Sequence, residues 1–203
     1  MEDKQAYEFL YRKSLELKLS QLAKHIKKVG PLKITTSNMK FVDHLSKIIV
    51  GQQLSVQSAA AIWKRTELIL KRNKYKKLNE KLNEKFREAG LSRQKIEYLN
   101  GIIFNKELNR ITKKDLKKMS ADGLFEYLIK IKGIGPWSIE MSRIFYLGDP
   151  DVFSYLDLGL KNAHSKMFLL NKYNEKFYES FSPFRSYMCL YMWRVLEEEN
   201  VAI

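Results

Sequence analysis

The residues best suited to chemistry lie between positions 128 and 160. The run Leu128-Ile129-Lys130-Ile131-Lys132-Gly133-Ile134-Gly135-Pro136-Trp137-Ser138 sets two glycines and a proline between two apolar-periodic stretches. A helix that ends at Lys132, turns through Gly133 and Gly135 and restarts at Pro136, whose missing N–H costs nothing there, is a helix-hairpin-helix. Glycines without Cβ let another backbone come close, and the unsatisfied N–H groups at the second helix start attract an anion such as a phosphate. Further on come three carboxylates, Asp149, Asp151 and Asp157. Asp157 precedes a helix-periodic run, so it suits an N-cap; a carboxylate there, partly desolvated, also stays ionised and can face a reacting group. The two roles can coexist.

The elements that must hold these residues read as helices almost throughout. Apolar side chains recur at helical spacing in Phe41, Val42, Leu45, Ile48 and Ile49, in Leu124, Leu128 and Ile131, and in Trp137, Met141, Ile144 and Phe145. Ser37 or Asn38, Ser55, Ser92, Ser120 and Asp157 are capable N-caps, and Gly51, Gly90, Gly133 and Gly148 sit where helices should end. The spacing predicts about nine or ten helices with short connections, an all-α fold. With 203 residues, 45% of them hydrophobic, the chain can build a real core and is neither disordered nor low in complexity. Cys189 is the single cysteine, which excludes a disulfide framework, a cysteine-ligated zinc and a four-cysteine iron-sulfur cluster. No apolar run approaches the roughly eighteen residues of a membrane helix and the N-terminus lacks a signal core, so an intracellular protein is expected.

The net charge of +14 points to a polyanion, most simply nucleic acid. Residues 39–150 carry 23 basic and 12 acidic side chains, whereas 151–203 carry 6 and 7. Backbone binding is therefore expected in the middle segment. The lysine-rich runs Lys71–Lys77 and Lys113–Lys118 would serve it, or would simply be solvated helix faces.

The stretch Asp149-Pro150-Asp151-Val152-Phe153-Ser154-Tyr155-Leu156-Asp157-Leu158-Gly159-Leu160 completes a set of motifs. Together with Ile49-Val50-Gly51-Gln52-Gln53-Leu54-Ser55, Gly90-Leu91-Ser92 with Lys95 and Tyr98, the glycine hairpin, and Ser182-Pro183-Phe184-Arg185-Ser186-Tyr187 leading to Trp193, it resembles the helix-hairpin-helix-Gly/Pro-Asp superfamily of DNA glycosylases, in its 3-methyladenine DNA glycosylase II branch. The resemblance covers roughly residues 39 to 195. It implies a two-lobed fold, a helical barrel from 39–150 and a second lobe from 1–38 plus 151–203, with the active-site cleft between them. It also implies a compact form, since residues 1–38 leave no room for the N-terminal β-rich domain of larger bacterial relatives.

The implied activity is hydrolysis of the N-glycosidic bond of an alkylated purine flipped out of duplex DNA. Asp157 would be the catalytic carboxylate, with Asp149 placed in a turn and Asp151 bracing the connection. Trp137, Met141, Leu158 and Trp193 would form the base pocket, Trp137 and Trp193 offering electron-rich faces to a cationic base. Gly133, Gly135 and Ser138 would contact the DNA backbone, and either Gln53 or Leu54 would fill the gap left by the base. Members that also cleave the backbone have a lysine where Trp137 stands, so the resemblance implies a monofunctional enzyme without lyase activity. No cofactor and no side-chain metal site are expected, although such relatives often hold a monovalent cation at the hairpin through backbone carbonyls. The partner would be double-stranded DNA with a damaged base, bound by a monomer in the cytoplasm of a prokaryote or the nucleus of a eukaryote. Met141 and Leu158 replace aromatic residues of relatives, which keeps open a different damaged base, such as hypoxanthine, uracil or oxidised guanine. A DNA-lesion-binding protein without turnover is the remaining alternative.

Overall fold

A computed structural model describes residues 2–73, 80–169 and 171–200. Much of the run Lys71–Lys77 lies outside the described residues. In chain order the helices are α1 (Glu2–Glu16), α2 (Ser20–Val29), α3 (Phe41–Gly51), α4 (Val56–Asn73), α5 (Glu80–Glu88), α6 (Arg93–Ile103), α7 (Lys106–Arg110), α8 (Lys113–Leu116), α9 (Ala121–Leu128), α10 (Pro136–Ser142), α11 (Leu158–Met167), α12 (Glu175–Glu179) and α13 (Arg185–Asn200), with a π-helical turn over Arg143–Leu147. Among the described residues there is no strand, and no helix is long and apolar enough to cross a membrane.

The caps expected from sequence form at several starts. Ser55 accepts from Ser58 N, Ser92 from Lys95 N, Ser120 from Gly123 N and Asp157 from Leu160 N. The start expected at Ser37 or Asn38 lies instead at Phe41: Ser37 spends its hydroxyl on Met39 N, and Lys40 precedes the helix without a side-chain cap. Four- and five-residue helices α7, α8 and α12, capped by Asn105, Thr112 and Asn174, raise the number above that expected. They are too short for a 3.6-residue period to register.

Two compact units divide the chain. One comprises residues 1–36 with 143–203 and the other residues 37–142. Residues 143–150, grouped with the barrel on sequence, pack with the chain ends. Arg143 pairs with Asp149 at 2.7 Å, and Ser186 donates to the Asp149 carbonyl and through its N–H to Pro150 O.

In the unit formed by the chain ends, α1 packs on α2, and α13 lies against α11, α2 and α1. Leu10, Leu22, Ile26, Phe153, Leu160 and Tyr178 are among the side chains buried there. In the unit 37–142, α3 packs against α6, α4, α10 and α7, burying Phe41, Val42, Leu45, Ile49 and Val50. Removing such side chains from water is what holds a helix with few intrinsic advantages in place. The first arrangement presents Asp157, and the second presents the glycine hairpin.

Candidate functional site

Asp157 sits at the head of α11 with its backbone in extended conformation, the usual geometry of an N-cap. Its Oδ1 accepts the N–H of Leu160 at 2.8 Å and the indole Nε1–H of Trp193, on α13, at 3.0 Å. The carboxylate is thus held by a backbone amide and a neutral ring donor. The two neighbouring aspartates are committed to arginines. Asp149 takes a two-pronged bond from Arg143, at 3.0 and 2.7 Å, and accepts Asp151 N. Asp151 takes Arg185 Nε at 2.7 Å and Nη2 at 2.9 Å, and the Ser182 hydroxyl at 2.8 Å. Burial pushes Asp151 up, but Arg185 and Ser182 outweigh it and hold its carboxyl below the usual range. Asp157, by contrast, takes its bonds from a backbone amide and an indole.

Gly159 makes that arrangement fit. A Cβ there would lie 3.0 Å from Asp157 Oδ1 and 3.3 Å from Trp193 Cδ1, closer than side chains normally approach. Leu156 and Leu158 flank the carboxylate on the surface, and Phe145 tilts against Trp193 with ring centroids 5.7 Å apart.

In the other unit, the hairpin forms with a shorter first helix than expected. α9 stops at Leu128, not Lys132, because Ile131 N turns back to Leu128 O and Ile134 N to Ile131 O. Pro136 opens α10 as expected, with Gly135 O accepting from Ile139 N. Gly133 adopts φ +90°, and a Cβ on it would strike the Tyr98 ring at 2.5 Å, so both conformation and space require glycine. A Cβ on Gly135 would meet nothing within 4 Å, which leaves that face open to a ligand.

The loop after α3 is tied to the hairpin. Gln52 Nε2 donates to Gly133 O at 2.9 Å and Ser138 Oγ at 3.0 Å. Gln53 holds φ +58°, and both Gln53 and Leu54 are exposed. Lys95 Nζ donates to the carbonyls of Val50 and Gln52, and burial lowers its pKa from the ordinary value.

Three expected site residues stand at the extremes of exposure. Ser138, expected to face DNA, is 1% exposed, its hydroxyl turned to Gln52. Met141, expected at the base, is 6% exposed, while Leu158, expected as a pocket wall, stands 69% exposed. Trp137 and Trp193 remain half-buried, with accessible surface. Sequence reasoning cast Trp193 only as an aromatic face and missed its N–H bond to Asp157. It also left Gln52 without a role. Among the described residues, no group of His, Cys, Asp and Glu is placed to hold a metal ion. The hairpin carbonyls of Ile131, Gly133 and Gly135 each accept one hydrogen bond, so a monovalent cation would have to share them.

No protein-family model matches the chain. DNA-3-methyladenine glycosylase 1 of Schizosaccharomyces pombe is 31% identical over 161 residues, covering 75% of this chain and 71% of that protein. The DNA-3-methyladenine glycosylase of Saccharomyces cerevisiae is 30% identical, covering 78% of this chain and 68% of that protein. Among solved structures, the Schizosaccharomyces pombe 3-methyladenine DNA glycosylase in complex with abasic DNA superposes with a TM-score of 0.74 at 26% identity, over 94% of this chain and 95% of that one. A DNA-3-methyladenine glycosidase from Bacillus halodurans gives 0.69 at 28% identity, over 91% and 88%. An all-α helix-hairpin-helix chain so similar over most of two yeast enzymes belongs to the DNA-3-methyladenine glycosylase family.

Proposed function

We propose that this chain is a monofunctional DNA glycosylase of base excision repair that hydrolyses the N-glycosidic bond of alkylated purines, 3-methyladenine and 7-methylguanine. The observation that carries the proposal is Asp157, held at the head of α11 by Leu160 N–H and Trp193 Nε1–H. Bond cleavage builds positive charge on the sugar, as in glycoside hydrolysis, and a fixed carboxylate stabilises that charge and orients the attacking water. Two neutral donors on one oxygen, the Leu160 amide and the Trp193 indole, fix the carboxylate in place. An alkylated purine is already cationic and leaves without a strong general acid, which suits a site with one such carboxylate.

Trp137 has no amine to form a Schiff base, so water is the nucleophile and the DNA backbone is left intact. Damaged duplex DNA is the partner. The hairpin at Gly133 and Gly135 bears on phosphates, and Gln53 or Leu54 occupies the gap left by the extruded base. The half-buried faces of Trp137 and Trp193 favour a cationic base by about 0.5 to 2 kcal/mol per contact. The protein acts as a monomer on the genome, in cytoplasm or nucleus according to its host, with no cofactor beyond a monovalent cation shared among the hairpin carbonyls. Incubation with methylated duplex DNA, followed by chromatography of the released bases, tests the function: free 3-methyladenine and 7-methylguanine support it, and release confined to uracil, hypoxanthine or oxidised guanine, or no release at all, overturns it.

A further inference from the structure

The loop after α3 is held in a conformation it would not adopt alone. Gln53 has φ +58°, a left-handed backbone that a non-glycine residue keeps only when its neighbours impose it. Those neighbours come from α6. The last carbonyls of α3 lack intrahelical partners and form the negative end of the helix dipole. Lys95 meets them with an ammonium, 2.8 Å from Val50 O and 2.7 Å from Gln52 O. The Gln52 side chain then spans to Gly133 O and Ser138 Oγ on the hairpin. Three residues beyond Lys95, and so on the same face of α6, the Tyr98 ring underlies Gly133. One face of one helix therefore sets both the loop and the hairpin.

We propose that Lys95 is a positioning residue: with Gln52 it clamps the gap-filling loop to the hairpin, so that gripping the DNA backbone fixes how the loop enters the duplex. The inference rests on the glycosylase function proposed above. It departs from the simpler expectation for a lysine in the basic segment, a phosphate contact, because Nζ is committed to two carbonyls. The two roles differ in salt dependence. Loss of a phosphate contact lowers the slope of log K against log salt by about 1 and weakens all sequences alike, whereas loss of a clamp leaves that slope unchanged.

Fluorescence anisotropy with an undamaged duplex and a duplex carrying a tetrahydrofuran abasic site, each across a salt series, separates them. Lys95→Met is expected to cut the preference for the abasic duplex about tenfold, the worth of one charge-assisted hydrogen bond, with undamaged-duplex affinity and salt slope unchanged. Lys95→Arg should restore part of the preference. In a Gln53→Ala/Leu54→Ala background, Lys95→Met should cost nothing further, since the loop it positions is gone. Gln52→Ala, which cuts the clamp from the other side, should reproduce the loss and serves if Lys95→Met folds poorly. Equal weakening on both duplexes with a shallower slope, or a preference that survives both Lys95→Met and Gln52→Ala, would overturn the clamp alone. Wild-type protein that binds both duplexes alike would overturn the function and the clamp with it.

Discussion

Replacing Trp193 by Phe removes one hydrogen-bond donor from the Asp157 carboxylate while keeping an aromatic ring at the position. The indole N–H lies 3.0 Å from Asp157 Oδ1, and the six-membered ring of Phe can keep the packing against Phe145, now at 5.7 Å between centroids. A hydrogen bond to a charged group is worth about 1.5 to 3 kcal/mol. Oδ1 keeps Leu160 N–H at 2.8 Å, so the carboxylate stays at the helix head but gains freedom to rotate. If the whole of that bond stabilises the reacting arrangement, at about 1.4 kcal/mol per decade kcat falls about 10- to 100-fold. Because the aromatic face is retained, affinity for abasic duplex should change less than threefold, about 0.6 kcal/mol. Single-turnover release of 7-methylguanine, measured alongside duplex binding, checks both numbers. A kcat within twofold of wild type would refute the view that the indole N–H positions Asp157, and a loss of abasic-duplex binding equal to the loss of rate would assign Trp193 to DNA binding rather than to positioning Asp157.

Other substitutions probe the same geometry and the fold beneath it. Gly159→Ala would press a methyl to 3.0 Å from Asp157 Oδ1, and displacement by a few tenths of an ångström should cost about tenfold in single-turnover rate with unfolding temperature nearly unchanged. Gly133→Ala meets both φ +90° and the Tyr98 ring at 2.5 Å, so chemical denaturation should show a loss of about 2 kcal/mol or more, with weaker binding to every DNA sequence. His44 is held down at about 4 by burial and then by Lys47 and Lys113, so it folds neutral. The unfolded chain takes up that proton first: stability is complete above pH 6.5 and declines as pH falls towards 4, by about 3 kcal/mol in all. His44→Gln should flatten this acid limb of the stability curve in urea titrations at pH 7 and 4.5.

What the sequence made legible is what neighbours in sequence decide. Caps at Ser55, Ser92, Ser120 and Asp157 depend on residues three positions away, and the hairpin glycines on the local turn. Contacts that depend on packing escaped. Trp193 reaches Asp157 across 36 positions and Gln52 reaches Gly133 across 81, and no local pattern marks either. Ser138 looked like a polar residue at a helix start, yet α10 turns its hydroxyl inward to Gln52. Met141 and Leu158 were placed by correspondence with relatives; burial of the one and exposure of the other follow from how each helix packs. The first hairpin helix reads on to Lys132 because Ile129 and Ile131 continue its apolar pattern, whereas the chain leaves α9 at Leu128 to make the turn that Gly133 completes.

The central claim is that Asp157 performs the chemistry while the rest of the chain delivers DNA to it. Asp157→Asn tests it most directly, because Asn caps a helix about as well as Asp and α11 should survive the change. Measured as free 3-methyladenine and 7-methylguanine released from methylated duplex, the variant should show no release above background while binding abasic duplex as wild type does. Release at the wild-type rate would contradict the assignment of Asp157.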